Sequence, residues 1–92
     1  MDAASGSYVA ECFWPDVGED DVRALDARIL AALADGVRYA GSLLIREDEV
    51  VLCQFEGSAD AVRAVAERAG VPFERLLETT VAIPEEQRSP DA

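Results

Sequence analysis

Val50-Val51-Leu52-Cys53-Gln54-Phe55-Glu56-Gly57 is the most apolar run of the chain, lying between the acidic turn Arg46-Glu47-Asp48-Glu49 and the polar step Gly57-Ser58. An apolar run of this length between two turn signals reads as a central strand. Across the charged turn, Val37-Arg38-Tyr39-Ala40-Gly41-Ser42-Leu43-Leu44-Ile45-Arg46 reads as its hairpin partner. Gly41 inside that partner predicts either a bulge or a close approach to the backbone, and a bulge would exchange the faces beyond it. On the other side, Ser58 is a good N-cap, worth ~1 kcal/mol over Ala. It starts a helix with Val62, Val65, Ala66 and Ala69 on one stripe and Gly70 at its end.

The flanks supply the remaining elements. Tyr8-Val9-Ala10-Glu11-Cys12-Phe13-Trp14 is rich in β-formers and stops at Pro15, so it reads as a first strand. Its alternation puts Tyr8, Ala10, Cys12 and Trp14 on one face and Val9, Glu11 and Phe13 on the other. Val22, Leu25, Ile29, Leu30 and Leu33 recur at helical spacing behind Glu19-Asp20-Asp21, predicting a helix over 19–34 that Asp35-Gly36 ends. Past Gly70, one extra turn is expected at Phe73-Glu74-Arg75-Leu76 and a last strand over 78–83, closed by Pro84. Residues 1–7 and 85–92 lack an apolar anchor and are expected to be a disordered N-terminus and tail around one domain over 8–84.

Strand-helix-strand, repeated once, predicts an α+β, ferredoxin-like βαββαβ fold. It has a four-stranded antiparallel sheet, strands 1 and 3 central, with both helices on one face. Val51, Cys53, Phe55, Val81 and Ile83 are expected beneath the helices. The uncovered face would hold Val9, Glu11, Phe13, Leu52, Gln54, Thr80 and Ala82. That face is too apolar to stay wet, so a homodimer through the open sheet faces, a dimeric α+β barrel, is expected to enclose a cavity.

Nineteen acids against eight bases give a net charge of -11, which disfavours nucleic acid and anionic membrane surfaces as partners. No apolar run approaches the roughly 20 residues that span a bilayer, and Met1-Asp2-Ala3-Ala4 lacks the basic start of a secretory signal. A cytoplasmic protein is expected. With no His in the chain, Cys12 and Cys53 offer neither a zinc-ligand spacing nor a Cys-His nucleophile pair, and they read as buried thiols.

Four segments are similar to those of the small nickel-binding, ferredoxin-like proteins formerly described as a domain of unknown function. They are Tyr8-Val9-Ala10-Glu11-Cys12-Phe13-Trp14-Pro15, Val37-Arg38-Tyr39-Ala40-Gly41-Ser42, Cys53-Gln54-Phe55-Glu56-Gly57-Ser58, and Ala66-Glu67-Arg68-Ala69-Gly70-Val71-Pro72-Phe73-Glu74-Arg75-Leu76. The resemblance runs from about Tyr8 to Ile83 and implies a dimeric α+β barrel, with Glu11 and Ser42 at shared pocket positions. It departs at Gly41, where the family often carries a His before the Ser. A site left with carboxylates and one or two cysteines holds nickel more weakly and less selectively.

Glu11 is the sharpest candidate: buried in a dimer cavity, its carboxyl would rise toward values useful to a general base or would ligate a metal. The bland reading pairs it with an Arg such as Arg38 across the sheet or leaves it at a wet rim. Gln54, Thr80 and Ser42 could bind a ligand by hydrogen bonds or satisfy one another. Trp14 and Tyr39 could stack on a planar ligand or serve as core. No particular cofactor or metal-ligand set is indicated. The function expected is a small homodimeric binding protein holding a metal ion such as nickel, or a small molecule, between its sheets. The alternative is a cofactor-free cyclase, isomerase or oxygenase with Glu11 as general base.

Overall fold

The computed structural model describes residues 6–80, 82 and 84. Along the chain run β1 (Gly6–Phe13), α1 (Glu19–Ala31), β2 (Arg38–Ile45), β3 (Val50–Gly57), α2 (Ala59–Arg68) and β4 (Arg75–Thr79). The strands form one antiparallel sheet in the order β2-β3-β1-β4, the ferredoxin-like α+β arrangement, with the opening stretch as a central strand.

Both helices press their apolar stripes onto the same face. Val22, Leu25 and Ile29 of α1 and Val62, Val65 and Ala66 of α2 are buried in one cluster with Ala10, Cys12, Val51, Cys53 and Phe55. These are the faces that the alternation of β1 and β3 predicts. Asp21 accepts the Gly18 N–H at 2.9 Å, and the Ser58 hydroxyl accepts the Ala61 N–H at 3.2 Å, so each helix start is capped by a local side chain. The C-terminal ends are tied across: Arg68 donates to the Ala32 carbonyl at 2.5 Å and Arg28 to the Ala69 carbonyl at 3.0 Å. Each Arg thus sits on the negative end of the other helix.

Three boundaries differ from the sequence expectation. β1 begins at Gly6, because Gly6 and Ser7 already pair with Gly57 and Glu56. Helix α1 stops at Ala31 rather than residue 34, where the Ala32 N–H is shared between the carbonyls of Arg28 and Ile29 and tightens the last turn. The expected helical turn at Phe73-Glu74-Arg75-Leu76 is instead the entry to β4. Phe73 N–H bonds back to the Val71 carbonyl at 2.9 Å, and Glu74 N–H bonds to the Glu11 carbonyl at 2.8 Å, which commits the chain to the β1 ladder. Leu76 therefore lies on the covered side, while Leu77 and Thr79 pair with Val9 and Ser7 on the open side. The expectations for residues 1–5, Val81, Ile83 and 85–92 lie outside the described residues.

The β2-β3 ladder slips by one residue between Tyr39 and Gly41, as the glycine suggests. Tyr39 pairs with Phe55 and Gly41 with Gln54, leaving Ala40 as the extra residue. Beyond the slip, Ser42 and Leu44 share the covered face with Tyr39, and Leu43 and Ile45 are turned to the open face. Gly41 has φ +111, and a Cβ added there would meet nothing within 4 Å. The position is conformationally demanding but sterically free. Gly41→Ala should thus destabilise the fold by about 1–3 kcal/mol through backbone strain alone. Urea unfolding checks this: the midpoint should fall with an unchanged slope, and an unaltered midpoint would mean that the bulge relaxes freely.

Candidate functional site

Strand register arranges the open face in four cross-strand rows. Ile45, Val50 and Phe13 form the first, and Leu43, Leu52, Glu11 and Arg75 the second. Gly41, Gln54, Val9 and Leu77 form the third; Arg38, Glu56, Ser7 and Thr79 form the fourth. Character changes steadily along the rows. Phe13 and Leu43 at the apolar end are each 52% exposed, which is unusual for side chains of that size on a single sheet face. At the polar end, Ser7, Val9, Ala40, Gln54, Glu56 and Thr79 border a cavity of about 170 Å3.

Glu11 stands at the boundary between the two ends. Its Oε1 accepts from Arg75 Nε at 2.7 Å, a pair placed by the Glu11-Arg75 register of β1 and β4. The Arg75 hydrogen bond holds the Glu11 carboxyl below its ordinary value of 4.5, opposite to the rise expected from the sequence. The same bond raises the Arg75 guanidinium. Arg38, the partner expected for Glu11, instead meets Glu56 at 3.3 Å. Arg75 escaped the sequence reading because the early start of β4 was not legible.

Of the other candidates, Gln54 lies on the open face one row from Glu11. Thr80 does not join them: it is exposed, one residue beyond β4, and Thr79 holds the position beside Ser7. Trp14 is half-buried against the core, with its backbone N–H donating to the Glu49 carbonyl at 2.8 Å. Tyr39 and Ser42 face the helices rather than the open side. There they meet Asp26 of α1, which the sequence reading did not single out. Asp26 Oδ1 accepts from Tyr39 Oη at 2.5 Å, and the Ser42 hydroxyl donates to the same carboxylate at 3.1 Å. Burial and the hydrogen bond to Asp26 raise the Tyr39 hydroxyl. Its ring also contacts Phe55, centroids 5.0 Å apart. The available signal was the position of Asp26, next to Leu25 and four residues after Val22, on the shoulder of the apolar stripe.

The described residues of one copy offer no assembled nickel site. Among the described residues no three His, Cys, Asp or Glu side chains converge on one point. Cys12 and Cys53 are buried free thiols on the covered face, and the neighbouring Cys53 sulfur together with burial raises Cys12, away from the thiolate that binds metal.

The crystal structure of SCO4226 from Streptomyces coelicolor A3(2) is similar over 84% of this chain and 99% of its own, with a TM-score of 0.71 at 21% identity. At that identity the likeness shows a shared fold. No family model and no curated protein matches the sequence. No helix among the described residues is long and apolar enough to cross a membrane.

Two expected outcomes test the local chemistry. Asp26→Ala strips the half-buried Tyr39 hydroxyl of its acceptor and should cost about 1–3 kcal/mol in urea unfolding; a neutral result would mean that water replaces the carboxylate without loss. For Glu11 the folded carboxyl titrates below the unfolded one, so the stability it adds is present above the ordinary value of 4.5 and fades as pH falls through the lowered value. Glu11→Gln should therefore flatten the acid limb of a thermal-stability profile below the ordinary carboxyl value of 4.5. Superimposable profiles of variant and parent would remove the Arg75 pair from the account.

Proposed function

We propose that this chain is a small homodimeric binding protein whose two open sheet faces close on one another around a small organic molecule. The observation that carries this reading is the charge and polarity of that face. In a chain of net charge -11, every charge on this sheet face is matched among the described residues, Glu11 by Arg75 and Glu56 by Arg38. Two copies meeting there face little mutual repulsion, whereas contact through the acidic helix starts or the turn at Glu47-Asp48-Glu49 would oppose like charges. The exposed Phe13, Leu43 and Ile45 supply apolar area for the contact.

Three strands of eight residues and one of five, about 4.8 Å apart, span a plane of roughly 500 Å2 before side-chain relief is counted. A standard stable interface takes about 800 Å2 per partner, so most of the face would have to be covered. The polar-end cavity of about 170 Å3 is smaller than the roughly 300–1,000 Å3 of a self-sufficient ligand pocket, so a site of useful size needs the wall of a second copy. Small organic ligands are favoured over nickel because hydroxyls and an amide line the cavity. The lowered Glu11 carboxyl gives no support to a general base working at neutral pH.

Sedimentation equilibrium on the whole chain tests the assembly. A dimer is expected, and Leu43→Asp, which places two carboxylates in the apolar rows of the contact, should yield a folded monomer. A parent chain that stays monomeric up to millimolar concentration, or a Leu43→Asp variant that dimerises unchanged, would remove the basis for the proposal.

A further inference from the structure

The polar end of the open face differs from the rest of the sheet in a way that bears on what it binds. No hydrogen bond within the described residues takes up the side chains of Ser7, Gln54 or Thr79. Register gathers them on two adjacent rows around Val9. Across from Gln54 stands Gly41, where an added Cβ would meet nothing within 4 Å. Ala40, the extra residue of the bulge, and the three unused polar groups thus line one cavity.

We infer that this basin is a subsite for an uncharged group carrying both a hydrogen-bond donor and an acceptor, such as a carboxamide or lactam. The inference rests on the dimeric reading above, since the second copy forms the far wall. The charge balance decides the class. Among the described residues an anion finds no free cation, because Arg38 is held by Glu56 and Arg75 by Glu11, and it would enter against the field of a -11 chain. Among the same residues a cation finds no free carboxylate, because the only acid lining the basin, Glu56, is the one paired with Arg38. A primary amide matches the Gln54 amide as donor to acceptor and acceptor to donor, and the Ser7 and Thr79 hydroxyls turn to serve either role. Val9 provides an apolar floor for the remainder of the molecule.

Three probes of one shape and different charge test this: benzamide, benzoate and benzamidine, titrated into the whole chain at an ionic strength that screens the long-range field. Amide NMR shifts locate each probe, and sedimentation under the same conditions reports the assembly. Benzamide should shift the Ser7, Gln54 and Thr79 resonances and bind more tightly than either charged analogue. Gln54→Leu should weaken benzamide about tenfold, the loss of a pair of hydrogen bonds. Thr79→Val, at the exposed end of β4, should weaken it by a smaller factor and keeps the test open where Gln54→Leu fails to fold. Benzoate or benzamidine binding here more tightly than benzamide overturns the uncharged class. Absence of benzamide shifts at these residues in a confirmed dimer overturns the subsite and leaves the dimer standing. A monomer under all three probes removes the underlying reading.

Discussion

The Asp26 carboxylate grips β2 on both sides of its bulge, and the character of each sheet face depends on that grip. Tyr39 precedes the slip and Ser42 follows it, yet both hydroxyls donate to the same carboxylate. In an unbroken strand, residues three apart point to opposite faces. Only the extra residue lets both reach α1. One consequence lies on the covered side, where Leu44 packs against the core. The other lies on the open side, where Leu43 and Ile45 join Phe13 and Val50 in the apolar rows. Without the bulge, Ser42 and Leu44 would replace Leu43 and Ile45 there. The apolar end would then be broken by a hydroxyl.

Gly41 connects this register device to the pocket. The residue that takes φ +111 lies opposite Gln54, so the slip that resets the strand falls beside the polar end of the open face, where Ala40 and Gln54 line the cavity. A contrast at the other end of β3 sharpens the point. Gly57 also has positive φ, at +150, but a Cβ there would lie 2.7 Å from the Gly36 carbonyl oxygen. At Gly57 the missing side chain lets two backbones approach; at Gly41 it leaves empty space.

Legibility in the sequence followed the strength of local periodicity. β1 and β3 alternate cleanly, and Cys12, Cys53, Val51 and Phe55 lie beneath the helices as their parity requires. The bulge was visible as Gly41, but its partner was not, because Asp26 meets Tyr39 and Ser42 only after α1 has docked. β4 was misplaced because Val71 and Pro72 resemble a stop followed by a fresh helical turn. Its position is fixed by a tertiary bond, Glu74 N–H to the Glu11 carbonyl, for which the sequence carries no local signal. That single shift changed the site: it exchanged Thr80 for Thr79 and brought Arg75, rather than Arg38, to Glu11.

The Arg75 pairing also bears on what Glu11 would contribute to the proposed association. An unpaired carboxylate on a closing interface carries a desolvation cost that its burial does not return. A carboxylate already bonded to a guanidinium at 2.7 Å would enter such a contact as a neutral, oriented pair. The same holds for Arg38 and Glu56 one edge away. Neutral pairs of this kind add little attraction when exposed, so in the proposed dimer the drive to associate would fall to the apolar rows, while the pairs would spare the contact the repulsion that eleven net negative charges per chain otherwise impose. An acidic chain could thus remain well separated from its neighbours over most of its surface and still offer one face to a second copy.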